Sequence, residues 1–450
     1  MTLQRSLISS IMALLLAFHT APASADDSDI EELKNELKQL RDAYEKRLSE
    51  LESKIDAANR SGVSVRAPSD SINAPSGRNI KSNAFNPSIG LVLNGYYQEF
   101  SEAEGDIAGF AVAEDGHRGD QGMTVDHTEF NFSANVDDKF YGSSTWAIHE
   151  HDGTTEVELE EAYLMTMPNA GVPGDLQLKF GRAFWSLGYL NEQHAHADDF
   201  VDRPLPYRVF VANGYNDDGI QISKILPTDT YNEIGFGAFA GKDNPFGGPT
   251  GSGPGATSMF YRVGGDVGQN GTWRFGAYKL KGEAGARASG EDGEEVQSFV
   301  GDVDMTVYDL RYTYAPTGNS RDREWTFTYE GFSRDEDGTY SVDGGAAVNH
   351  VETNTGWYAA ATYKWNPRSR VGVRYAELES DPVAAGLAGT ALDGGGIQPT
   401  AIAIMYDWTN SEFSRIRLQL NREDISDGLT DDQFIMQYIM SFGAHGAHGY

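Results

Sequence analysis

Residues 306–314 read TVYDLRYTY and residues 324–331 read EWTFTYEG. In the first stretch Tyr308, Leu310, Tyr312 and Tyr314 alternate with Val307, Asp309, Arg311 and Thr313. In the second, Trp325, Phe327 and Tyr329 alternate with Glu324, Thr326, Thr328 and Glu330. A period of two marks a β-strand, because successive side chains point to opposite faces of a sheet. SRIRLQLN at 414–421 repeats the pattern, with Ile416, Leu418 and Leu420 set against Arg415, Arg417, Gln419 and Asn421. A soluble sandwich buries its apolar face between two sheets and does not turn bulky aromatics outward at strand ends. Here Trp325, Trp357, Trp365, Trp408 and Tyr314 cluster near strand termini, as the interfacial girdles of a membrane barrel require.

Outward from these stretches, alternating segments recur at 89–99, 125–136, 140–150, 156–167, 175–184, 217–227, 232–240, 257–267, 272–282, 303–314, 323–333, 355–366, 370–379, 399–409, 413–423 and 432–442. That is an even number, sixteen, of roughly the length that crosses a bilayer when tilted. Short connections (VDDK at 136–139, LPTDTYN at 226–232, GQNG at 268–271, NPRS at 366–369, TNSE at 409–412) interleave with mostly long ones rich in Gly and Asp. Short periplasmic turns set against long outer loops predict an all-β transmembrane barrel of about 16 antiparallel strands over residues 88–450, in the cell outer membrane.

The chain begins with Arg5, an apolar run from Leu7 to Phe18 and Ala-Ser-Ala ahead of Asp26, which reads as a signal peptide over 1–25. Residues 26–60 carry a helical seam: Ile30, Leu33, Leu37, Leu40 and Tyr44, then Leu48, Leu51, Ile55 and Ala58. Ser28 and Glu31 form a capping box at its start. An apolar seam on a lone helix predicts a short periplasmic coiled coil and self-association, with a homotrimer as the expected assembly. Residues 61–87, rich in Ser, Asn, Pro and Gly, read as a linker.

The chain has no cysteine, which excludes disulfides and thiolate metal sites, and a net charge of −32, which argues against nucleic acid as a partner. Lipids of the outer membrane are the expected surroundings. No Ser/His/Asp set stands out by spacing, so an enzyme is not expected.

The third long connection, 185–216, reads WSLGYLNEQHAHADDFVDRPLPYRVFVANGYN and is far more apolar than the other loops. An apolar loop is expected to pack, and the barrel lumen is its nearest surface. By inward parity the early strands contribute Glu129, Glu156, Glu158 and Glu160 with His127 and His149, whereas late strands contribute Arg370, Arg374, Arg415 and Arg417. Acids and arginines are then expected to face each other across a constriction that also includes Asp202 and Arg203 of the loop. Within NEQHAHADD, His194, His196, Asp198 and Asp199 are candidate ligands for zinc or another divalent ion. Two readings stay open there: metal contact, or histidines that hydrogen-bond within the folded loop. No cofactor is expected to be required, with zinc as a permeant or loosely held ion.

This layout resembles general sixteen-stranded porins, whose third loop folds into the lumen. FGRAFWSLGYLNEQHAHADDFVDRPL, GYNDDGIQ and the ending SFGAHGAHGY resemble a group of Gram-negative outer-membrane proteins catalogued as zinc-regulated TonB-dependent-receptor-like. A helix ahead of the barrel is similar to the phosphate-selective porin O and P type. The resemblance implies a passive channel for small hydrophilic solutes or ions, biased to divalent cations. The alternative it implies is a receptor for a metal or metal chelate, although residues 26–87 do not supply the plug domain of a TonB-coupled receptor.

Overall fold

The computed structural model describes residues 87–443 apart from 104–105, 126, 152–153, 249–251, 291–295 and 412. The expected signal peptide, the coiled-coil helix, the linker through residue 86 and the tail 444–450 lie outside the described residues.

The strands are β1 (Ser88–Phe100), β2 (Gly122–Val125), β3 (Thr128–Asn135), β4 (Phe140–His151), β5 (Thr154–Thr166), β6 (Gln177–Phe184), β7 (Asn216–Ile225), β8 (Tyr231–Phe239) and β9 (Ala256–Val267). They continue as β10 (Gly271–Ser289), β11 (Gln297–Tyr314), β12 (Glu324–Val342), β13 (Val348–Asn366), β14 (Ser369–Glu379), β15 (Thr400–Ser411), β16 (Ser414–Ser426) and β17 (Leu429–Gly443). Each pairs antiparallel with its neighbour, and β17 returns to β1 through a register running from Gly90↔Gly443 to Phe100↔Gln433. Both β2 and β3 pair with β1, so they are two halves of one crossing strand, broken near His127 at φ 50°. The ring therefore has sixteen crossing strands, each lying on one of the segments expected from the sequence. A closed ring leaves no edge, so the backbone groups within a bilayer find partners inside the sheet.

Alternation sorts the two faces as the sequence predicts. Tyr308, Leu310, Tyr314, Trp325, Phe327 and Tyr329 are exposed on the outside, whereas Val307, Asp309, Thr328 and Glu330 are buried inside. Tyr314, Trp325 and Tyr363 stand opposite one another on three successive strands at the short-turn end. The Trp325 and Tyr363 rings stack at 4.1 Å between centroids, and Trp365 stacks on Tyr406 at 6.1 Å. This is an aromatic belt at one rim of the apolar band.

One expectation changes. The Gly- and Asp-rich stretches 283–302 and 334–354 are largely strand, because β10 to β13 run 18 or 19 residues each. Gly301 and Gly338 serve the sheet rather than a turn. A Cβ on Gly338 would fall 2.2 Å from the Val300 carbonyl and 2.9 Å from the Phe299 ring, which lies across that spot. The long-loop halves of these strands turn Leu280, Phe299, Val303, Met305, Phe332 and Tyr340 inward.

Against that inner face packs the third loop. Its helix α1 (Leu205–Val211) has all seven residues buried. Phe110 and Val112 from the first long loop and Phe246 and Leu392 from later ones complete one apolar core inside the barrel. Burying each such side chain stabilises by roughly 1.5–3 kcal/mol, which explains why this loop folds inward as its composition predicts.

Candidate functional site

Between α1 and β6 the loop carries its polar stretch across the lumen. Two short 3-10 turns, Leu190–Glu192 and Ala195–Ala197, shape this stretch. The histidines go to one wall and the aspartates to the other.

On the glutamate wall, Nδ1 of His194 lies 3.1 Å from Glu129 Oε2 and 3.4 Å from Glu160 Oε2, and its Nε2 lies 3.0 Å from Glu161 Oε2. His196 Nδ1 lies 2.8 Å from Glu129 Oε1. Glu129 stands on β3, and Glu160 and Glu161 on β5. Burial alone opposes the imidazolium of His194, but the charge of Glu129 and the carboxylates of Glu160 and Glu161 beside the ring outweigh it and hold it protonated well above the usual histidine range. Lys179 reaches Glu161 at 3.8 Å.

On the arginine wall, Arg203 Nε donates to Asp198 Oδ2 at 2.6 Å and Arg417 Nη2 donates to the Asp198 carbonyl at 2.7 Å. Burial nonetheless pushes the Asp198 carboxyl up to about 6. Asp199 pairs with Arg370 and lies 3.8 Å from Arg311. Those arginines outweigh its burial and hold its carboxyl below the usual range. Asp202 accepts from Arg374 at 2.7 Å and from Gln419. Asp407 joins Arg370 to Arg417, and Arg415 donates to the His196 carbonyl.

The expected residues are thus divided in three. Acids and arginines do line separate arcs of wall, but the loop lies between them and neutralises each. His194 and His196 gather with Glu129 and Glu160, while Asp198 and Asp199 turn away from the histidines to the arginines. A guanidinium offers those carboxylates charge-assisted hydrogen bonds that an imidazole already shared by glutamates does not. Glu156 and Glu158 stay outside the cluster. Both are exposed, and Glu158 sits 3.6 Å from His149 and 3.7 Å from Arg182 at the long-loop end.

Three acidic residues of the site were not singled out by sequence. Glu161 has outward parity, but a bulge opposite Thr145 and Trp146 turns it inward beside Glu160. Asp407 and Glu330 do have inward parity, which was their only signal. Glu330, 0% exposed, accepts from the Leu190 amide at 2.9 Å and from the Tyr207 and Tyr358 hydroxyls at 2.8 Å each. Gly188, at φ 92°, lets this carboxylate approach, since a Cβ there would fall 2.3 Å from Glu330 Oε2. Below His194, towards the short-turn end, lies a cavity of about 330 Å³ lined by polar side chains including Asn131, Ser143, Thr145, Gln221 and Ser223.

A closed antiparallel ring, apolar outside and charged inside, with its third loop folded across the lumen, has the architecture of a β-barrel that crosses a membrane. No protein-family model matches the chain. A protein of Aquifex aeolicus (strain VF5) described as "Uncharacterized protein" is 25% identical over 397 residues, spanning 81% of this chain and 80% of its own. The outer membrane channel DcaP of Acinetobacter baumannii aligns in structure with a TM-score of 0.50 at 14% identity, covering 79% of this chain and 96% of that one. The anion-selective porin from Comamonas acidovorans gives 0.49 at 10% identity, covering 79% and 99%. The likeness to DcaP is one of fold.

Proposed function

We propose that the protein is an outer-membrane channel for small hydrophilic solutes and ions. The observation that carries this reading is the pairing of an apolar, aromatic-rimmed exterior with a lumen whose charged walls meet at the third loop. Opposed charges at a narrow passage select by charge and size. The polar cavity beneath the loop offers a hydrated stretch of such a path. The reading includes a bias toward divalent cations such as zinc, supported by the excess of carboxylates around His194 and by the resemblance of residues 180–221. It also includes a homotrimer, supported by the helical seam expected at 26–60, with that helix in the periplasm.

Planar-bilayer recording of the purified full chain tests the channel. Discrete current steps in potassium chloride are expected, with a reversal potential that shifts when zinc chloride is added to one side. Protein that inserts, shows heat-modifiable migration and passes no current overturns the reading. Chemical cross-linking in membranes checks the trimer.

A further inference from the structure

We infer that Glu129, Glu160 and His194 form a binding site for one divalent cation of the zinc, cobalt or nickel class, with Glu161 as the outer partner of the histidine. One donor atom from each of the three ligands lies within 4.8 Å of the others. Their positions are independent of one another in sequence: Glu129 on β3, Glu160 on β5 and His194 on the third loop. The site therefore needs both the wall and the loop.

Three features point to a cation rather than to a mere ion pair. First, Glu160 is 8% exposed and, among the described residues, its Oε2 finds no hydrogen-bond donor in good geometry, although it faces His194 Nδ1 at 3.4 Å. Second, Nε2 of His194 faces Glu161 Oε2 at 3.0 Å. A carboxylate there accepts a hydrogen bond from Nε2–H in the neutral tautomer, which leaves the Nδ1 lone pair aimed at Glu129 and Glu160, the arrangement in which a histidine ligates a metal. Third, three carboxylates crowd one ring, at 3.0 to 3.4 Å, an excess of negative charge that a divalent cation among them offsets. The donor set of one imidazole nitrogen and two carboxylate oxygens suits borderline divalent metals. Glu129, Glu161 and His194 also line the 330 Å³ cavity, which leaves room for water as further ligands.

This deepens the proposed channel by giving its cation bias a location, and it differs from the set expected in NEQHAHADD, since Asp198 and Asp199 are held by arginines. An ion bound here ties the third loop to the wall.

The test measures binding without current. Full-length protein in detergent, carrying His445→Ala and His448→Ala so that the tail imidazoles take no part, is titrated with cobalt(II) by absorption and with zinc(II) by calorimetry. One equivalent per chain is expected, with visible cobalt bands of a nitrogen and oxygen site. Glu160→Gln and His194→Gln should abolish the bands, and Glu161→Gln should weaken binding by roughly 10- to 100-fold. Asp198→Asn and Asp199→Asn should leave it intact. Absence of stoichiometric binding to the parent protein overturns the site, as does binding that survives Glu160→Gln and His194→Gln. Binding without any current in bilayers leaves the site standing and removes the channel; current without binding does the reverse.

Discussion

His196 Nδ1 lies 2.8 Å from one oxygen of Glu129, and His194 Nδ1 lies 3.1 Å from the other. A single carboxylate, 2% exposed, thus fastens both histidines of the third loop to β3. Removing one member of a buried charged pair costs about 3–5 kcal/mol, because the partner is left without compensation. Glu129→Ala should therefore lower the thermal transition of the loop-packed barrel and open residues 185–215 to protease, while the strand ring still forms. Glu156→Ala, at an exposed position, should change neither. A Glu129→Ala protein as protease-resistant as the parent would show that the loop is held by its apolar residues alone.

Charge selectivity should follow the arginine wall. Asp202 accepts from Arg374 Nη2 at 2.7 Å, and Asp202→Asn removes that negative charge from beside the guanidinium. A unit charge about 4 Å from a permeating ion is worth about 1 kcal/mol even in water, or roughly fivefold in relative permeability. The reversal potential in a potassium chloride gradient should shift toward chloride by that order. An unchanged reversal potential would place the ion path away from Asp202.

What the sequence makes legible here follows from periodicity. Alternation over TVYDLRYTY decides which face of β11 is wet, and the same rule finds every crossing strand. It fails where the count slips by one. At the bulge beside Trp146 two consecutive glutamates turn inward, and parity admits only Glu160. It also says nothing of how far a strand runs past the membrane: Gly338 and Gly301 look like turn residues until the Phe299 ring is seen lying over them. The inward fold of the third loop was readable from its apolar composition. The division of NEQHAHADD into histidines for glutamates and aspartates for arginines was not, because it depends on which wall each residue meets across the ring.

Protonation of His194 should give the clasp a pH dependence of definite sign. Burial disfavours the imidazolium, but Glu129 with Glu160 and Glu161 raises the folded value well above the ordinary 6.5. A raised value means that the stabilisation is complete below pH 6.5 and is lost as the pH climbs through the folded value. In chelator, the difference in thermal transition between the parent protein and His194→Gln should be largest in mild acid and shrink toward alkaline pH. A difference that grows with pH would mean that the ring is neutral in the folded protein.

Glu330 should prove the main polar anchor of the third loop from the opposite side. It is fully buried on β12 and receives three donors, the Leu190 amide, the Tyr207 hydroxyl and the Tyr358 hydroxyl. Two of these belong to the loop, so the carboxylate holds the start of the polar stretch and α1 together. Glu330→Leu removes the acceptor and leaves the donors without partners, each worth about 1–3 kcal/mol when buried unsatisfied. The same substitution in a Tyr207→Phe, Tyr358→Phe background meets only the amide, so it should cost less. A double-mutant cycle on thermal or denaturant unfolding should therefore return a coupling of about 0.5–3 kcal/mol, with Glu330→Leu milder in the phenylalanine background. Single-channel current should also rise in Glu330→Leu as the loop loses its hold on β12. Strict additivity in the cycle would mean that the hydroxyls gain nothing from this carboxylate, and the loop would then be positioned by the aromatic packing of Tyr207 on Phe332, 5.1 Å between ring centres, instead.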